Sequence, residues 1–277
     1  MYSVLDKDMI ELEIVPYLST RKRGFSPTVP LAEIINAILY KLKTGVQWRQ
    51  LPVQALFENL VLSWQSVYYH YRKWCVSEAL ENCWIEFLKR HKSSFDLSSV
   101  DLDGSHTPSI RGGASVEYQG RKKRKTTNAL YLTDRQGLPL AMSEPVSGNH
   151  NDLYDIEVQF EVITATLKQA DIDTKGLFLN ADAGFDSKEF RKCCDSKEIN
   201  ANVCFNKRNR NADRDEYFDQ ELYDLRYIIE RTNAWMDSYR SLLNRFDTTI
   251  TSWKGFNLLA FIVIAIKKIK KKKLEKV

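Results

Sequence analysis

The sequence lacks any Cys-x-x-Cys pair, and its five cysteines, Cys75, Cys83, Cys193, Cys194 and Cys204, are odd in number. Neither a disulfide framework nor a zinc site is supported, and a reducing compartment is expected. The start, Met1-Tyr-Ser-Val-Leu-Asp, lacks the basic-then-apolar order of a signal peptide. Long hydrophobic runs are also missing. The longest, Leu258 to Ile266, falls far short of the ~18–20 residues of a membrane span. It reads as a buried C-terminal helix, and no membrane partner is expected. There is no internal repeat. The expectation is a cytoplasmic protein, not a secreted scaffold or a membrane-spanning chain.

What the chain does have is enough apolar material for a core, 43% hydrophobic and 12% aromatic over 277 residues, which fits one large or two modest domains. Its net charge of +5 is mild, but the cations are clustered. Arg121-Lys122-Lys123-Arg124-Lys125 is one cluster and Lys207-Arg208-Asn209-Arg210 a second. The tail from Lys267 to Lys273 is a third and is the one low-complexity segment. A single run of this kind is ordinary solvated surface. Three in one chain favour a polyanion partner, because each neutralised phosphate releases counterions.

Residues 1–95 read as helical, 96–266 as a mixed α/β region and 267–277 as a basic tail. Leu31, Ile34, Ile35, Ile38, Leu39 and Leu42 form an amphipathic stripe after Pro27 and Pro30, and Thr44-Gly45 ends it. Val67, Tyr68, Tyr71 and Trp74 mark one further helix, and Leu80, Cys83, Trp84, Phe87 and Leu88 another. Helices joined by a short Gly-containing turn suit DNA binding, although small bundles of any purpose share the pattern. Beyond Ser99 the alternation turns to strands at 100–103, 128–134 and 138–146. Then come a helix at 152–170, an apolar strand at 176–179, a helix at 187–196, a strand at 202–205 and one long helix at 217–243. This order predicts a mixed sheet, antiparallel first and parallel later, flanked by helices.

Three carboxylates stand out by their settings. Asp103 closes its predicted strand before Gly104-Ser105-His106. Asp182 follows the apolar run 176–181, and Glu230 lies in a segment of helical periodicity. Sites in open α/β sheets gather beyond the carboxyl ends of parallel strands. Two aspartates on neighbouring strand ends would face each other, and a divalent cation bound to both would relieve their repulsion. Mg²⁺ prefers such oxygen ligands and leaves positions for phosphate. Tyr223, Arg226, Glu230 and Asp237 fall at i, i+3, i+7 and i+14, on one helix face. Asp101 is a rival ligand, since it shares a strand face with Asp103. His106 and His150 are possible proton carriers, more often structural hydrogen-bonders. Trp48 and Trp253 read as core.

These segments resemble the insertion-sequence transposases of the DDE class, within the insertion sequence 4 and 5 superfamily, closest to the insertion sequence 5 group. The resemblance spans roughly residues 30–265. Ile38-Leu39-Tyr40 through Trp48-Arg49-Gln50-Leu51-Pro52 is similar to that group's N-terminal motif. Asp103-Gly104-Ser105 and Asn180-Ala181-Asp182-Ala183-Gly184-Phe185-Asp186 resemble the settings of its two aspartates. Tyr223-x-x-Arg226-x-x-x-Glu230-Arg231-Thr232 resembles its Tyr-Arg-Glu signature, and Ser147 to Asp152 its small-residue-His-Asp turn.

The resemblance implies a ribonuclease H-like catalytic domain with Asp103, Asp182 and Glu230 as catalytic and metal-binding residues. It implies two Mg²⁺ ions, with Mn²⁺ as a substitute. Tyr223, Arg226 and Arg231 would hold phosphate, and the basic clusters would hold the DNA backbone. It further implies cleavage at element ends, strand transfer into target DNA, double-stranded DNA as partner and a homodimer on DNA. One departure is Asp237, where the signature often carries a basic residue; the alternatives are that Arg231, Arg240 or Arg245 takes that role or that the site uses none. Another metal nuclease on the same fold, or a silent DNA-binding descendant, are the rival functions.

Overall fold

In a computed structural model of the chain, residues 3–18, 29–208 and 218–274 are described. The first helices are α1 (Lys7–Glu13), α2 (Leu31–Thr44), α3 (Val53–Leu56), α4 (Trp64–Val76) and α5 (Ala79–His91). Strands β1 (Val100–Pro108), β2 (Glu117–Gln119), β3 (Arg124–Asp134), β4 (Pro139–Met142) and β5 (Val146–Ser147) follow. Then come α6 (Ile156–Gln169), β6 (Phe178–Ala181), α7 (Lys188–Ser196) and β7 (Asn200–Val203). The chain closes with α8 (Gln220–Asp224), α9 (Ile228–Asp237), α10 (Arg240–Leu243) and α11 (Ile250–Leu274).

Two compact units result: residues 1–87 with 236–277, and residues 88–235. The first is helical. Ile34, Ile35, Ile38, Leu39 and Leu42 of the α2 stripe are buried and Leu31 is half-buried, with Pro30 at the N-cap and Gly45, left-handed, at the C-cap. Ser63 caps α4 by accepting a hydrogen bond from the Ser66 amide at 3.3 Å. The last helix, α11, belongs to this unit, not with the sheet as the division at residue 266 supposed. Trp253, Phe256 and Phe261 on it are fully buried, Phe256 stacks on Tyr71, and the Tyr71 hydroxyl donates to the Ser252 carbonyl. Residues Ile250–Lys272 are long and apolar enough to cross a membrane, but most of this stretch is buried inside the unit. A helix apolar on all sides is what a core requires. The lysines from 267 continue α11, and Lys270 pairs with Asp6 at 2.9 Å.

The second unit is built on one mixed sheet, in the order β2-β3-β1-β6-β7, with β4 and β5 also on β3. β1 and β3 are antiparallel from Val100↔Asp134 to Pro108↔Thr126. β1–β6 and β6–β7 are parallel. The central residues Leu102, Leu132, Leu179 and Val203 are buried, as in a sheet covered on both faces.

Two expectations need correction. First, β1 does not stop at Asp103 but continues to Pro108, because β3 supplies backbone partners through that length. Second, the long helix expected at 217–243 is interrupted. A tighter turn at Leu225–Tyr227 separates α8 from α9, and residues 238–239 separate α9 from α10. The backbone stays right-handed helical at Asp224, Leu225 and Ile228, so α8 and α9 remain nearly continuous. Residues 209–217 fall outside the described residues, so the start expected at 217 is not covered.

Candidate active site

The parallel register sets the site. Leu102 lies opposite Ala181, so the next residues, Asp103 and Asp182, stand side by side at the point where β6 ends. β1 pairs with β6 only over Val100–Leu102, so the flank of β1 toward β6 opens at Asp103 although the strand itself continues. Past β6, Asp182 caps a short turn and accepts a hydrogen bond from the Gly184 amide at 2.8 Å. Glu230 is exposed in the first turn of α9.

Asp103 is the electrostatic centre. Its carboxyl is raised to about 6, chiefly by burial and also by Asp182, Glu230 and Asp152, against the lowering pull of Arg226. Both other sequence-predicted carboxylates, Asp182 and Glu230, therefore act on this residue. Arg226 Nη1 lies 4.0 Å from Asp103 Oδ1 and is buried without a hydrogen-bond partner. Asn233 Nδ2 donates to Asp103 Oδ2 at 3.3 Å. Among the described residues no group of three His, Cys, Asp or Glu is close enough to hold a metal ion. The set nonetheless suits a hard divalent cation chemically: the donors are carboxylate oxygens, two of them on adjacent strands, and their mutual repulsion is what a cation removes.

Two neighbours of Asp103 escaped the sequence. Asn233, three residues after Glu230, had no motif to mark it. Asp152 sat in a quoted motif, but nothing said where it would land. It accepts a hydrogen bond from Asn128 Nδ2 at 2.7 Å and occupies the space a Cβ on Gly104 would need. Gly104 is thus required for close approach of a carboxylate to β1.

The remaining predicted residues separate. His106 lies 3.9 Å from Asp152 through Nε2 and 3.3 Å from Thr126 Oγ1 through Nδ1, and burial pushes its pKa down. His150 instead stacks on Tyr154. Tyr223 lies beneath the Arg226 guanidinium at 5.7 Å, and burial raises its phenol. Arg231 sits over the exposed Tyr227 at 5.9 Å. Arg121, Lys122 and Lys123 form the exposed turn between β2 and β3, which Arg124 and Lys125 continue into β3. Lys122 Nζ donates to the His106 carbonyl at 3.0 Å. Lys207 and Arg208 are exposed in the turn after β7, and Arg210 lies outside the described residues. The rival Asp101 is 2% exposed, and its Oδ1 accepts from Asn180 Nδ2 at 2.9 Å. Burial raises it to about 6.

A family model described as a transposase DDE domain matches residues 93–265, and a model for transposases of the IS4/5 family matches residues 12–84. No curated protein matches the chain. Among solved structures, a piggyBac transposase synaptic complex with hairpin DNA aligns with TM-score 0.51 at 11% identity, covering 96% of this chain and 74% of that one. A pre-cleavage Mos1 transpososome aligns with TM-score 0.30 at 12% identity, over 89% and 80% of the two chains. The piggyBac likeness is one of fold, and the sheet described above is accordingly ribonuclease H-like.

Proposed function

The chain belongs to the DDE transposases, of the IS4/5 type, and on that premise we propose that it cuts DNA at the ends of an insertion sequence and joins the freed ends to target DNA. The observation that carries the reading is that Asp103 and Asp182 each follow the last paired residues of β1 and β6, Leu102 and Ala181, with Glu230 acting on the Asp103 carboxyl.

Asp103, Asp182 and Glu230 would hold the divalent cations, two Mg²⁺ ions with Mn²⁺ as a substitute. Held there, the cations would supply the Lewis-acid chemistry that activates an attacking oxygen and stabilises the leaving one. The chain's own residues do the rest. Arg226 places a permanent charge beside Asp103, and its buried, unpartnered Nη1 is suited to a phosphate oxygen. Tyr223, its ring centroid 5.7 Å from the guanidinium carbon, flanks Arg226 with an aromatic face. Asn233 orients the Asp103 carboxylate through Oδ2. The exposed turn Arg121–Lys123, with Arg124 and Lys125, engages DNA backbone, as do Lys207, Arg208 and Arg210, and contacts of this kind position the duplex without reading its sequence. Arg231 contributes a further cation on α9. The helical residues 1–95 would bind the element ends, and the insertion sequence 5 grouping rests on the N-terminal motif, the motif around Asp182 and the Tyr-Arg-Glu signature together.

Double-stranded DNA is the substrate in this reading. A homodimer would hold two ends together, in the bacterial cytoplasm on nucleoid DNA, where the five free cysteines stay reduced. The test is incubation with a duplex carrying the element's terminal repeat and either Mg²⁺ or Mn²⁺. Nicks at the repeat followed by joined products are expected. Cutting without joining would indicate a plain nuclease, and metal-independent binding without cutting a silent DNA-binding protein.

A further inference from the structure

Behind the carboxylates runs a second polar row. Asp101, Asn180 and Asn202 stand at one register level across β1, β6 and β7. They are buried to 2%, 1% and 1% exposure. Asn180 Nδ2 donates to Asp101 Oδ1 at 2.9 Å, and Asn202 Nδ2 donates to Asn180 Oδ1 at 2.8 Å. Strand alternation puts Asp101 and Asn180 one pleat behind Asp103 and Asp182, on the same face.

The row ends on a helix. The Asn202 carboxamide donates from Nδ2 to the Asp219 carbonyl at 2.9 Å and accepts at Oδ1 from the Asp219 amide at 2.8 Å. This is the reciprocal pair a neighbouring strand would make. Asp219 is the N-cap of α8, and its side chain accepts from the Leu222 amide at 2.8 Å. From this cap the helical backbone runs on through Tyr223 and Arg226 to Glu230. Further along, the Thr232 hydroxyl donates to the Gly137 carbonyl.

Apolar side chains at these sheet positions would pack without needing partners, whereas buried polar groups are costly unless satisfied. Hydrogen bonds are directional and short-ranged, so they fix a helix against sliding in a way apolar packing does not. We propose that Asp101, Asn180 and Asn202 are positioning residues that set where Arg226 and Glu230 stand relative to Asp103 and Asp182. This rests on the reading of those carboxylates as metal ligands. It also turns Asp101 from a rival ligand into a support.

The test compares Asp101→Asn, Asn202→Ala and Asn202→Asp in the full chain. Binding of Mn²⁺ alone is followed by the thermal shift it induces, and cleavage of an end duplex is measured in parallel. Asp101→Asn keeps an oxygen acceptor for Asn180, so its Mn²⁺ midpoint and cleavage rate stay within a few-fold of wild type. Asn202→Ala moves the Mn²⁺ midpoint and lowers the cleavage rate by about 10–100-fold, the scale of supporting-residue losses at metal sites. Its affinity for DNA without metal is unchanged. Asn202→Asp keeps an acceptor for the Asp219 amide but turns a second oxygen on Asn180 Oδ1 and the Asp219 carbonyl, so its loss is at least that of the alanine variant, and Asp101→Asn remains the test if neither Asn202 variant folds. In a Glu230→Gln background, Asn202→Ala adds no further change in the Mn²⁺ midpoint. A folded Asn202 variant with wild-type Mn²⁺ binding, or an inactive Asp101→Asn, overturns the proposal. Wild-type protein that neither responds to Mn²⁺ nor cuts DNA removes the metal reading itself, and this inference with it.

Discussion

Arg226 stands 4.0 Å from Asp103, and its charge counteracts the burial and the three neighbouring carboxylates that drive Asp103 up to about 6. Replacing it with glutamine removes that counterweight, so the Asp103 carboxyl rises further. The acid limb of the cleavage pH profile then shifts to higher pH, and the rate at neutral pH falls roughly 10–100-fold, about 1.4–2.7 kcal/mol. A pH–rate series on wild type and Arg226→Gln checks both.

The same geometry makes Asp103 a destabilising group in the metal-free fold. Its folded pKa of about 6 exceeds the ~3.9 of an unfolded chain, so the native state binds more protons between those values. Its contribution to stability is greatest at low pH and is lost as pH rises through 6. Asp103→Asn removes the charge while leaving an acceptor for Asn233. It is therefore expected to stabilise the metal-free protein at pH 7–8 by roughly 2–3 kcal/mol, or on the order of 5 °C. The gain disappears near pH 4. Thermal unfolding in a chelator across that pH range reads it directly.

Gly104 and Asp152 form a steric pair that a methyl group breaks. Gly104→Ala pushes the Asp152 carboxylate aside and strips Asn128, 1% exposed, of its acceptor. The expected cost is about 1–3 kcal/mol, the penalty of an unsatisfied buried polar group. Urea unfolding of this variant gives the value.

Much of this was legible in the sequence, and the missing parts share a cause. Asp103, Asp182 and Glu230 stand out in the sequence because each follows a local pattern: two aspartates after apolar runs and one glutamate on a helical stripe. The stripe of α2 and its Gly45 end were legible for the same reason. β2 was not, because Glu117-Tyr118-Gln119 has no apolar alternation and is held by pairing with β3. β1 runs past Asp103 for that reason too: its partner, not its own pattern, sets its length. The segment 217–243 was read as one helix because hydrophobic periodicity survives a single tightened turn at 225–227. Asp152, Asn202 and Asn233 reach the site only through tertiary packing, which no spacing encodes.

The exposed turn between β2 and β3 yields a prediction that does not touch catalysis. Replacing Arg121, Lys122 and Lys123 together by alanine lowers the slope of log affinity against log salt by about 2–3, near 0.9 per lost phosphate contact. Affinity falls about equally for all duplex sequences. Cutting at saturating DNA and low salt persists. Binding isotherms at several salt concentrations decide it.

The most direct test of the account is single-turnover cleavage of a terminal-repeat duplex with Mg²⁺ by wild type and by Asp182→Ala. The account predicts metal-dependent nicking by wild type and a loss of at least ~10³-fold in the variant, about 4 kcal/mol, with DNA binding retained. Full-rate cleavage by Asp182→Ala would contradict it.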